Sequence, residues 1–218
     1  MAGAEELVES GAEDMPRVVA ALAGILERVA ERNDAAAAAA GLRLAAAAPA
    51  SAFRATTKPG ISVRAYMARI ARFAGCSPAC YVVAYVYLDR LLRRGRGRLA
   101  LAVDSYSVHR LLITAVLAAV KFMDDICYNN AYFAKVGGIS LMEMNYLEVD
   151  FLFGVGFDLN VTPETFGDYC AVLQSEMLCA EAPHAPPRLQ YRHSLPDDDA
   201  GAVAGVGCSS QSQQQLAA

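Results

Sequence analysis

An all-α fold is the architecture this sequence predicts, on three observations. Apolar residues recur at three- and four-residue spacing along one segment after another. Helix-start residues stand at almost every junction between those segments. No alternating strand pattern of useful length competes, and the connections are short, so a helical bundle follows. The chain of 218 residues, 55% hydrophobic, has room for one ordinary domain with flanking segments.

Residues 1–14 are expected to be disordered. An amphipathic N-terminal helix is expected over 15–34, with Asp14 and Pro16 at its start and Val18, Leu22, Ile25 and Val29 on one side. Alanine tracts at 35–40 and 45–48, followed by Pro49, read as a low-complexity linker over 35–60. An alanine-rich helical extension is the alternative, because alanine has the highest helix propensity. The main bundle is expected over 61–160. Ser62 caps its first helix, whose apolar side includes Val63, Tyr66, Ile70 and Phe73. Ser77 and Pro78 open a second through Leu92, and Asp104 opens a third to about Met123. That third helix contains LLITAVLAAV at 111–120, apolar on nearly every side, which places it at the centre of the bundle. A short helix runs from Asn130 to Val136 and ends at Gly137 and Gly138. Ser140 with Glu143 three residues later forms a capping box for a fifth helix through Phe153. Thr162 and Pro163 start a C-terminal helix over 161–179, with Phe166, Tyr169, Leu173 and Met177 on its buried side. Beyond it, prolines, the acidic run 197–199 and a Gly/Ser/Gln-rich end predict a disordered tail over 180–218.

Asp89 falls seven residues after Val82 and three after Val86, on a stripe that should be buried. Arg69 on the preceding helix is its expected partner, a structural ion pair clamping two helices.

Composition removes several function classes. A net charge of −4 argues against a nucleic-acid surface. The arginines at 93, 94, 96 and 98 suit the carbonyl end of a helix that Gly95 and Gly97 terminate. Cys76 and Cys80 are four apart with no second pair to complete a metal set, so the cysteines are expected as reduced, small apolar residues. The opening residues carry acids rather than a basic start and apolar core, and the apolar run between Arg110 and Lys121 is too short to cross a bilayer. A soluble intracellular protein, nuclear or cytoplasmic, is expected, without metal or cofactor. No GxSxG, phosphate-binding glycine loop or HExxH occurs, and GVG at 154–156 reads as helix-ending glycines. Asp124 and Asp125 follow a buried helix like the magnesium-binding acids of all-α prenyl-transfer enzymes. The third acid of such a site is missing, with Asn129 and Asn130 in the region instead, so no catalytic residue is assigned.

Two charges need explaining. Lys121 ends the central apolar helix, and Glu148 falls among Leu141, Met144, Phe151 and Val155 on an apolar stripe. A carboxylate there requires a partner, within this chain or outside it. Between them lies the aromatic and amide-rich segment MDDICYNNAYFAKVGG, and FLFGVGFDL supplies more apolar residues than one bundle face needs. A lysine and a glutamate flanking an apolar groove suit another protein's helix end, whose amides need acceptors and whose neighbouring carbonyls need donors.

At these residues the chain resembles the cyclins, specifically the plant P-type (U-type) cyclins related to the fungal phosphate-pathway cyclins. ISVRAYMARIARFAGCSPACYVVAYVYLDRLL at 61–92 is similar to the first two cyclin-box helices. The stretch from HRLLITAVLAAVKF at 109 to NVTPETF at 166 is similar to the third to fifth, and PRVVAALAGILERVAERND at 16–34 to the leading helix. The resemblance implies a single five-helix cyclin box with an N-terminal and an additional C-terminal helix. It implies a non-catalytic subunit that forms a heterodimer with a cyclin-dependent Ser/Thr kinase and activates it, in cell division or phosphate signalling. Lys121 and Glu148 match the family's contacts to main-chain groups around the kinase αC helix, and Phe122, Leu152 and Phe157 match the apolar groove that receives it. The competing reading is a helical scaffold or transcription-factor-like module with no kinase, which the fold alone does not separate.

Overall fold

The computed structural model describes residues 15–41, 51–95, 101–125 and 128–181. The expected disordered segments at 1–14 and beyond 181, the second alanine tract within 42–50, and Arg96 and Arg98 lie outside the described residues. Those residues form helices α1 (Arg17–Ala39), α2 (Val63–Ala74), α3 (Pro78–Gly95), α4 (Val108–Met123), α5 (Asn130–Gly137), α6 (Leu141–Gly154) and α7 (Pro163–Glu181). Helix α4 is the axis, with every residue from Leu111 to Val120 buried. Helices α2, α3, α5 and α6 pack around it, while α1 and α7 cover α3 from outside.

Helix α1 runs past the expected end at 34, through the first alanine tract to Ala39. Alanine loses least on entering a helix, so nothing in that tract stops it. Its buried face is centred on Val19, Leu22, Leu26 and Ala30, while Val18, Ile25 and Val29 flank it half-buried. The helix is covered by α2 and α3 on one side and by α7 on another, with Arg28 paired to Glu176 of α7.

The segment after the alanines is a strap rather than a spacer. Phe53 is 1% exposed and meets the Phe151 ring of α6 edge-on at 6.2 Å. Arg54 pairs with buried Asp104, and the Ala55 amide donates to the Tyr106 carbonyl at 2.8 Å. The end of α1 reaches the same place: Asn33 Nδ2 donates to the Val103 carbonyl, and Asp34 accepts from the Ser105 amide.

The local caps form as local chemistry dictates. Ser62 accepts from the Ala65 amide and Ser140 from the Glu143 amide, both at 3.1 Å. The Glu143 side chain pairs with Arg110 of α4. Asp104 does not open α4 directly. Its Oδ1 accepts from the amides of Tyr106 and Ser107, closing a turn one step earlier, and the helix proper begins at Val108. Phe73 also departs from expectation: it is exposed, and Met67 and Ala74 complete the buried side of α2.

Candidate functional site

Lys121 occupies the last turn of α4, where the carbonyl end of the helix favours a cation. Glu148 projects from the middle of α6 toward it. Their side chains, 36% and 16% exposed, meet directly, with Nζ 2.6 Å from Oε1. The second carboxylate oxygen accepts from Asn130 Nδ2 at 2.7 Å, and the same amide nitrogen donates to Asn145 Oδ1 at 2.8 Å. The partner that Glu148 demanded is thus found inside the chain. The pair is not sealed, however. An open cavity of about 530 Å³ lies beside it, lined by Lys121, Tyr128, Asn129, Asn130, Ala131 and Leu141. An ammonium has three donors and a carboxylate about four acceptor positions. Both groups therefore retain capacity for a visitor.

The apolar residues expected around the pair are present at the surface. Phe122 and Phe157 are exposed, and Leu152 is half-buried one turn from Glu148. Phe157 holds a positive φ of 56°, a conformation that non-glycine residues rarely adopt. The turn is fixed from α3: Arg94 donates to the Val155 carbonyl, and Arg90 donates to the Asp158 carbonyl at 2.7 Å. A side chain at Gly156, also at positive φ, would collide with that Arg94 guanidinium. The arginines expected merely to complement the end of α3 therefore include one that caps the end of α6.

Helix α6 has a second apolar stripe. Met144, Leu147 and Phe151 are buried, whereas Met142, Tyr146, Val149 and Phe153 are all exposed at spacings of four, three and four. At about 3.6 residues per turn, that stripe points away from the core. Phe153 on that stripe meets the Phe157 ring edge-on at 5.1 Å. Tyr128, which lines the cavity, stacks on Tyr132 at 4.0 Å.

The expected pair of Arg69 with Asp89 does not form. Asp89 accepts from the Tyr169 hydroxyl of α7 and pairs with Arg93, one turn along its own helix, at 2.7 Å. Arg69 lies over the Tyr66 ring, 5.0 Å from its centroid. The Asp89 side chain is 28% exposed rather than buried as its stripe predicts, and spacing along one helix could not reveal that Tyr169 of α7 meets it there. Asn130 and Asn145 were missed as members of the site. The only signal was the adjacency of amides in a segment between two unexplained charges. Asp124 takes part in a thiol contact, Cys80 Sγ lying 3.5 Å from its Oδ2. Among the described residues no helix is long and apolar enough to cross a membrane.

The cyclin family model matches residues 16–159, from the start of α1 to the turn carrying Phe157. Cyclin-P4-1 of Oryza sativa subsp. japonica is 68% identical over 194 residues, covering 87% of this chain and 88% of that protein. Cyclin-U4-2 of Arabidopsis thaliana is 53% identical over 176 residues, covering 78% and 76%. Cyclin-U4-1 of the same plant is 52% identical over 164 residues, covering 75% and 77%. The chain therefore belongs to the cyclin family, regulatory proteins rather than enzymes, and within it to the plant P-type (U-type) cyclins.

Proposed function

We propose that this chain binds and activates a cyclin-dependent Ser/Thr kinase by gripping the end of the kinase αC helix, in cell division or phosphate signalling. The observation that carries this reading is where the protein leaves apolar surface uncovered. Tyr128 and Leu141 line the cavity beside the Lys121–Glu148 pair, Phe122 and Met123 directly follow Lys121 in the chain, and all four are exposed large apolar residues. Exposed apolar side chains grouped beside an open cavity mark an interaction site. Two charges with spare hydrogen-bonding capacity at its centre supply direction, which apolar contact alone lacks.

The chain contributes position rather than chemistry. Glu148 offers acceptors to amides at the helix end, and Lys121 offers donors to nearby carbonyls. Phe122, Leu152 and Phe157 cover the apolar side of the same helix. Held there, αC brings its glutamate to the catalytic lysine and the phosphate-binding parts of the kinase into register.

Affinity capture of the full chain from its own cells, read by mass spectrometry and kinase assay, should recover a cyclin-dependent kinase with activity in the eluate. Titration of that kinase with Lys121→Ala and Glu148→Ala should then show losses of about 2–5 kcal/mol each, with thermal unfolding unchanged. Full affinity in both folded variants would remove the assignment and leave a helical scaffold that uses the same fold differently.

A further inference from the structure

Glu148 could satisfy its charge with Lys121 alone, yet the structure commits two amides to its surroundings. Asn130 stands at the first position of α5, where Asn129 fixes the backbone by accepting from the Tyr132 amide at 3.0 Å. Its two amide protons are both used, one on Glu148 Oε2 and one on Asn145 Oδ1. Asn145 lies one turn before Glu148 on the same side of α6. The orientation has a cost, because Asn130 Oδ1 is buried without a partner. Turning the amide over would place that oxygen against a carboxylate, so the donor end is held where it is by Glu148 and Asn145 together.

A glutamate on a helix surface has several rotatable bonds, and a partner that needs one orientation must freeze them on binding. Here the freezing is done beforehand. With Oε1 on Lys121 and Oε2 on Asn130, both of which line the cavity, the plane of the carboxylate is fixed. The unused lone pairs of Glu148 and the unused protons of Lys121 then present one arrangement rather than many.

We propose that Asn130 is a positioning residue of the kinase-binding surface, a latch on α5 that holds the Glu148 carboxylate of α6 ready for the incoming helix end. This rests on the kinase-binding reading above. The latch acts through Glu148 although Asn130 also lines the cavity, and a double-mutant cycle separates it from an ordinary interface residue.

A double-mutant cycle on the full chain with the captured kinase tests it. Asn130→Ala should weaken binding roughly three- to tenfold, the benefit of one pre-ordered side chain, while the thermal midpoint stays that of wild type. In a Glu148→Ala background the same substitution should change nothing further. Asn130→Asp keeps the shape, loses the donor and sets a second carboxylate beside Glu148, so it should weaken binding more than alanine does. If Asn130→Ala is silent, or costs as much without Glu148 as with it, the latch is overturned; in the second case Asn130 meets the kinase itself. The underlying reading fails separately: Lys121→Ala and Glu148→Ala both at full affinity, or a wild type that binds no kinase, ends both proposals, whereas a Lys121 or Glu148 effect beside a silent Asn130 ends only this one.

Discussion

His109 sits where α4 enters the core, and its surroundings select the neutral ring. Its Nε2 lies 2.9 Å from the Ile61 carbonyl, so the proton is on Nε2, while Nδ1 is buried with no partner. Burial lowers its pKa most, and the nearby Arg69 charge adds to this against the opposing pull of the Ile61 carbonyl. The unfolded chain therefore binds a proton near pH 6.5 that the folded chain refuses. Stability is fully present above that pH and falls as acid is added, by no more than about 1.4 kcal/mol per pH unit, until the folded pKa is passed. Urea midpoints near pH 7.5 and 5.5 should fall further for wild type than for His109→Gln, which retains a donor for Ile61. Equal falls in both proteins would show that other groups carry the acid sensitivity. At this scale the sequence identifies which side chains need partners better than it identifies the partners. Glu148 and Asp89 are visible as charges on apolar stripes, but Asn130 and Tyr169 come to them from other helices. Only the packing decides which residue arrives.

Helix α6 is the element on which the reading turns, and its apolar residues exceed what burial explains. The core takes Met144, Leu147 and Phe151, Leu152 is half-buried, and the outward stripe of Met142, Tyr146, Val149 and Phe153 remains uncovered. Because Phe153 touches Phe157, a kinase bound on Phe157 as proposed would also reach Phe153. Serine at both Tyr146 and Phe153 should therefore weaken kinase binding while leaving the unfolding midpoint in place, since neither ring is in the core. Unchanged affinity in the same titration would confine the interface to the Lys121 side of the helix. The starts of α2 and α6 were legible because a serine cap bonds an amide three residues away, an interaction contained within the sequence itself. The start of α4 was misplaced for the opposite reason. Asp104 is spent on the turn before the helix and on Arg54, which is fifty residues away in the chain. Phe73 misled in a similar manner: its spacing fits the apolar side of α2, but the bundle ends before reaching it, and Arg72 lies over its ring instead.

Across the whole molecule, the proposed binding face is supported from behind by a segment that composition alone marks as a spacer. The strap inserts Phe53 against Phe151, on the buried side of α6, while Arg54 and Ala55 fasten it to the turn before α4. The end of α1 is tied to that same turn through Asn33 and Asp34. A single aromatic after an alanine tract carries no periodicity, so nothing in its neighbourhood could announce it as core. Its removal should nevertheless be severe. Phe53→Ala is expected to lower stability by about 3–5 kcal/mol, a large part of the 5–15 kcal/mol or so that holds a domain together. The expected signature is a lower urea midpoint with an unchanged slope, since the surface exposed on unfolding barely alters. Phe53→Leu, which retains most of the apolar contact, should lose much less. Kinase added at about a hundred times its dissociation constant should restore roughly 2.7 kcal/mol to either variant, provided α6 still presents its face correctly. A deficit in that restoration for Phe53→Ala, with a normal value for Phe53→Leu, would show that the strap shapes the binding face as well as stabilising it. Equal restoration in both would limit the strap to holding the fold.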